Sequence, residues 1–82
     1  MLRVSVISPE SVLFEGETDS VIAPAYDGEV GILGGHAPLM ALLGTGQLRI
    51  GSGSARRFNV SGGFMQVLDN QVRVVTEKAT AA

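Results

Sequence analysis

Eighty-two residues, 45% hydrophobic, with a formal net charge of −2 and no cysteine, allow one small domain and exclude a disulfide framework or a thiolate metal site. The slightly acidic balance, with Arg56-Arg57 as the one adjacent basic pair, gives no electrostatic footprint for nucleic acid. The longest apolar run, Ala37 to Leu43, falls far short of the roughly 20 residues a membrane-spanning helix needs, and Met1-Leu2-Arg3 does not open a secretory signal. The expectation is a protein that starts as a cytoplasmic one does and meets a membrane only through a partner.

Leu2, Val4 and Val6 alternate with Arg3 and Ser5, the period of two that turns one face inward, and predict a first strand ending near Ile7. Ser8-Pro9-Glu10 breaks it, and Val12-Leu13-Phe14 resumes an extended run that closes at Gly16. Ser20-Val21-Ile22-Ala23 is apolar on both faces before Pro24 removes a ladder donor, and Tyr26-Asp27-Gly28 reads as a tight turn. Val30-Gly31-Ile32 follows as a short strand. Leu39 to Leu43 suits a buried strand or a single helical turn by length alone, and the strand is the expectation.

Gln47 to Ile50, Gly51-Ser52-Gly53-Ser54 and Arg56 to Val60 read as a hairpin with Leu48, Ile50, Phe58 and Val60 inward and Arg49, Arg57 and Asn59 outward. Gly62-Gly63 ends that arm. A second hairpin joins Phe64–Leu68 to Gln71–Val75 through Asp69-Asn70, two residues that tolerate the positive φ such turns need. Thr76 to Ala82 is helix-compatible but too short to hold a helix alone. Short strands with turn signals every eight to twelve residues or so predict an all-β fold, an antiparallel β-sandwich or flattened barrel of about eight to ten strands. That sandwich is expected over residues 1–76, with a short tail over 77–82. Ile7, Leu13, Ile22, Met65 and Val75 fall on phases that should face water, an aliphatic excess that suits coverage by a partner.

The most constrained stretch runs from Asp27 to Leu39, where Gly28, Gly31, Gly34 and Gly35 mark a shaped turn in which φ > 0 or a close backbone approach is needed. Pro38 pushes Ala37 toward extended geometry, so the chain leaves His36 by a stiff corner. His36 is the single histidine. Glu29, Asp27 and Ser61 are available beside it, but no spacing joins them into a ligand set or a catalytic dyad, and the glycines lack the Gly-Lys-Ser/Thr ending of a phosphate loop. Glu10, Glu15, Glu17 and Asp19 read as a solvated strand edge rather than a cation site. No catalytic residue, cofactor or metal is expected. A small enzyme or ligand-binding β-barrel using Glu29 and His36 remains the alternative function class.

Gly-Glu-Val-Gly-Ile-Leu at 28–33 followed by Gly-His-Ala-Pro-Leu at 35–39 resembles the signature of the epsilon subunit of F-type ATP synthases. The likeness continues, in order, at Val6-Ile7-Ser8-Pro9-Glu10, Gly44 to Ile50, Val60-Ser61-Gly62-Gly63-Phe64 and Val72 to Val75. That resemblance implies a non-catalytic part of the central stalk, or rotor, whose sandwich clasps the gamma subunit while its loop-rich end rests on the polar loops of the c-ring. The implied role is coupling of proton flow to ATP synthesis, at the cytoplasmic face of a bacterial plasma membrane or at another energy-coupling membrane. Gly28, Glu29, Gly31, Gly35, His36 and Pro38 are the implied ring contacts, with Gly31, Gly34 and Gly35 holding the corner's shape, and Ile22 and Met65 the implied contacts to gamma. The family's common form continues into a C-terminal hairpin of two helices. Here the sequence ends at Ala82, so the expectation is the sandwich without that hairpin.

Overall fold

In a computed structural model, residues 1–51 and 56–82 are described; Ser52-Gly53-Ser54 of the expected first hairpin turn lies outside them. The described residues form ten strands and no helix: β1 (Leu2–Ile7), β2 (Val12–Thr18), β3 (Ser20–Ala25), β4 (Gly28–Leu33), β5 (Leu39–Leu42), β6 (Thr45–Ile50), β7 (Arg56–Ser61), β8 (Phe64–Leu68), β9 (Gln71–Val75) and β10 (Lys78–Ala81). They make two five-stranded sheets, one in the order β2-β1-β9-β8-β5 and the other β10-β7-β6-β3-β4. The expected sandwich is therefore what the chain forms.

Its core lies between the sheets. Leu2, Val4, Val6, Met65, Val67, Val72 and Val74 of the first meet Val21, Ala23, Ile32, Leu48, Ile50, Phe58 and Val60 of the second, all nearly or fully removed from water. Pairing is antiparallel except between β1 and β9, which run parallel from Arg3↔Gln71 to Ile7↔Val75. Residues far apart in the chain meet there, so no hairpin dictates direction. Asp69 and Asn70, with φ of 50° and 61°, form the β8–β9 turn as expected, because both residue types tolerate the left-handed region that a two-residue hairpin demands.

Three expectations are corrected. Met65, placed on a water-facing phase, has 0% exposure: it pairs with Val74, as Val67 does with Val72, so the whole inner face of β8 is set by its partner strand. Gly62 and Gly63, with φ of 72° and 101°, turn the chain just before β8 and reset which face its alternation presents. A Cβ on Gly63 would run into the Val75 carbonyl. The tail is no loose end either, since Lys78 to Ala81 pairs with Ser61 to Phe58 and adds β10 to the edge of the second sheet. Thr76 anchors it, buried, with its Oγ1 within 3.4, 3.1 and 2.9 Å of the Ser61, Gly62 and Lys78 carbonyls. Finally, Val30-Gly31-Ile32 is only the middle of β4, a six-residue edge strand.

Candidate docking corner

Strand β4 and the turn after it carry the chain from the second sheet to the first. Gly28 to Leu33 pairs with Ala25 to Ser20 across the Tyr26-Asp27 turn. Residues 34–38 then cross to β5, the edge of the other sheet. Gly35 has φ +80°, a conformation costly for any residue with a Cβ. Its N–H donates to Asn70 Oδ1 at 2.7 Å, while the Asn70 carbonyl accepts from Arg3 N–H at 2.8 Å. One turn asparagine thus ties the corner to the β8–β9 turn and to the start of β1. The His36 N–H donates to the Leu33 carbonyl at 3.2 Å. Its Nδ1 lies 2.7 Å from the Ala37 carbonyl; a carbonyl only accepts, so Nδ1 is the donor of that contact.

Glu29 sits inside β4 rather than in a loop, opposite Pro24. Its Oε2 accepts a hydrogen bond from Arg49 Nη2 at 2.7 Å, an ion pair whose side chains are 59% and 30% exposed respectively. The pair spans β3, because β3 lies between β4 and β6. Ile22 pairs with both Gly31 and Arg49, which puts it half-buried on the outer face of this sheet beside the ion pair. Arg49 Nε is buried and has no partner among the described residues, so this guanidinium is held by packing as well as by the carboxylate.

Gly31 meets neither need expected of these glycines, since its φ is not positive and a Cβ there would meet nothing within 4 Å. Its bareness leaves open space over the strand. Gly28 has φ 133°, and Gly34 lies with its would-be Cβ 3.9 Å from the Met1 nitrogen. Pro38 is exposed and lines a shallow groove with Leu39, Met40, Val67 and Leu68. The structure therefore brings Glu29, Gly31 and Ile22 together on one outer sheet face, and Gly35, His36 and Pro38 together in the turn beyond it. Met65 belongs to neither.

Two residues escaped the sequence reading. Arg49 looked like an ordinary outward strand residue, and only the β6-β3-β4 order shows that it reaches Glu29. Asn70 was recognised as a turn former, not as the anchor of a second turn. Glu29 and His36 are engaged by different partners, which leaves the enzyme-like alternative without a joined pair of groups. Among the described residues no group of three or more His, Asp or Glu side chains is placed to hold a metal ion.

Residues 1–82 match the beta-sandwich domain of the ATP synthase delta/epsilon chain family. The chain belongs to this family. It is 49% identical over 77 residues to the ATP synthase epsilon chain of Leptospira borgpetersenii, an alignment covering 93% of this chain and 61% of that one. With the ATP synthase epsilon chain of Syntrophomonas wolfei it shares 44% over 78 residues, 93% of this chain and 57% of the relative. This delta/epsilon-type sandwich therefore spans less than two thirds of the length of those relatives. A chain in the cryo-EM structure of the Euglena gracilis mitochondrial ATP synthase superposes with a TM-score of 0.87 at 24% identity, over 98% of this chain and 52% of that one. One in the central stalk and c-ring structure from Tetrahymena thermophila gives 0.79 at 18% identity, over 96% and 65%. At those identities the likeness speaks for the fold, and the fold agrees with the family.

Proposed function

We propose that this chain is the sandwich part of a non-catalytic epsilon subunit of an F-type proton-translocating ATP synthase, a rotor component that links the gamma subunit to the c-ring and supports coupling of proton flow to ATP synthesis. The observation that carries this reading is the family match over the full 82 residues, with relatives named ATP synthase epsilon chain at 49% and 44% identity. In this reading the corner with Gly28, Glu29, Gly31, Gly35, His36 and Pro38 rests on polar loops of the c-ring, and Ile22 lies under gamma. No helix among the described residues is long and apolar enough to cross a membrane. Association with the cytoplasmic face of a bacterial plasma membrane then comes through the complex.

Glu29 makes the reading testable. A carboxylate pinned through Oε2 by Arg49, on a side chain 59% exposed, is held in one orientation where a neighbouring loop can reach it with amide or cationic groups. Glu29→Gln keeps size and backbone, and should weaken docking by no more than the ~1 kcal/mol of an exposed rim contact. The measurement is proton pumping per ATP hydrolysed in vesicles reconstituted with the complex carrying this chain, beside thermal unfolding of the free chain. The expected result is lowered pumping with a nearly unchanged Tm. Wild-type pumping from both Glu29→Gln and Gly35→Val would reduce the corner to a structural turn.

A further inference from the structure

In the sheet that does not carry Glu29, the parallel pairing of β1 and β9 puts Arg3 opposite Gln71 and Ser5 opposite Arg73. Val4, Val72 and Val74, their neighbours along the strands, are buried between the sheets, so these four polar side chains share the outer face. They line a cleft of about 300 Å³ with Glu15 on its β2 side. All four are hydrogen-bond donors, and two are guanidiniums. One inter-strand spacing of about 4.8 Å and two residues of about 3.3 Å each set the Arg3 and Arg73 backbones about 8 Å apart on the diagonal, a distance across which two such long side chains converge on one ion.

The two arginines are not equivalent. Arg3 stands opposite Glu17, and its Nη2 lies 4.0 Å from Glu15 Oε1 with both side chains more than half exposed, a long and solvent-screened pair that holds it weakly. Arg73 stands between the neutral Ser5 and Gln66. Its side chain has no ion pair or hydrogen bond among the described residues. A guanidinium keeps its charge throughout the physiological pH range, so the middle of this face presents a fixed positive charge with further donors beside it.

Volume and charge together select a ligand. The cleft is at the lower end of the roughly 300–1,000 Å³ of small-molecule sites, and a water molecule's share of liquid volume is about 30 Å³, so a phosphate-sized ion fits with part of its hydration shell. Guanidinium forks recognise oxyanions bidentately. The exposed Glu15 and Glu17 flank Arg3 and oppose an extended anionic surface such as a membrane, whereas a single ion enters between them. We propose that this cleft binds a small free oxyanion of the phosphate class, held by Arg73 with the Ser5 hydroxyl and the Gln71 amide, and by Arg3 once its guanidinium turns from Glu15. The proposal does not rest on the ATP synthase reading, which concerns Glu29, Ile22 and the corner.

The test uses the full chain, isotopically labelled, titrated with inorganic phosphate and, separately, with chloride at matched ionic strength, so that screening is common to both. Phosphate should shift the amide signals of Arg3, Ser5, Gln71 and Arg73 along a saturating curve that chloride does not reproduce. Arg73→Gln should weaken binding about tenfold, the loss of one charge-assisted contact. Arg73→Lys keeps the charge without the fork and should fall between. Glu15→Gln should strengthen binding about threefold, because it releases Arg3 from its weak pair; a side chain that only supports the sheet would give no gain. Without phosphate all three variants should unfold near the wild-type Tm, since both positions are exposed. Equal shifts from chloride, meaning an adventitious ion only, would overturn the proposal, as would an affinity that Arg73→Gln or Glu15→Gln leaves unchanged. So would displacement of phosphate by vesicles containing phosphatidylglycerol, which would make a lipid headgroup the ligand.

Discussion

Single positions separate core from surface more sharply than residue type does. Met65 and Ile22 are both large aliphatic strand residues, yet one is fully buried and the other half-exposed beside Gly31. A lysine at 65 would bury an uncompensated charge at a cost of several kcal/mol, against about 4–12 kcal/mol of total stability for a chain this size. Met65→Lys should therefore fail to give a cooperative thermal transition, whereas Ile22→Lys should unfold close to wild type, within roughly 0.5 kcal/mol. The two glycines of the corner divide in the same way. Gly35 at φ +80° should lose about 1–3 kcal/mol on change to valine. Gly31, with an ordinary φ and open space where a Cβ would go, should accept valine with no loss. Urea unfolding of the two variants side by side checks the contrast.

At the level of elements, β10 depends on one hydroxyl. Thr76 carries a single proton on Oγ1 and shares it among the carbonyls of Ser61, Gly62 and Lys78, a junction that binds the end of β7 to the start of β10. Thr76→Val keeps the volume but leaves those part-buried acceptors short of a donor, at a cost of about 1 kcal/mol. Hydrogen exchange should locate the damage: amides of β10 should open faster, while those of β6 keep their protection. Equal acceleration in both strands would show that Thr76 supports the sandwich generally. Other elements were readable from pattern alone. β1 carries strict alternation, and the β8–β9 hairpin carries its turn pair in its own sequence, so both lie where the residues predict. Leu39 to Leu42 is a strand because an edge position beside β8 was open to it, not because four apolar residues could say so.

For the whole molecule, the sheets close over an aliphatic core and leave chemistry-bearing side chains dispersed on the outer faces. Glu29 is committed to Arg49, and His36 to the Ala37 carbonyl. With no Gly-Lys-Ser/Thr loop in the sequence and no convergent acidic group among the described residues, the chain should neither hydrolyse ATP nor bind Mg-ATP tightly. Calorimetric titration of the isolated chain should give no micromolar affinity, and a saturating isotherm in that range would contradict the non-catalytic reading.

The sequence by itself determined what depends on neighbours in the chain: the strand periods, the break at Pro9, the Asp69-Asn70 turn, and the glycine-rich signature at 28–39 that carries the family likeness. The tertiary structure alone decided what depends on partners distant in the chain. Alternation defines two faces of a strand but not which is buried, so Met65 and Phe64 could be told apart only once β8 had registered against β9. Likewise nothing local says that 78–81 will find a free sheet edge, that β1 and β9 will run parallel, or that Arg49 will stand across β3 from Glu29. Those facts follow from the order of strands, and strand order is fixed by which faces must leave water together.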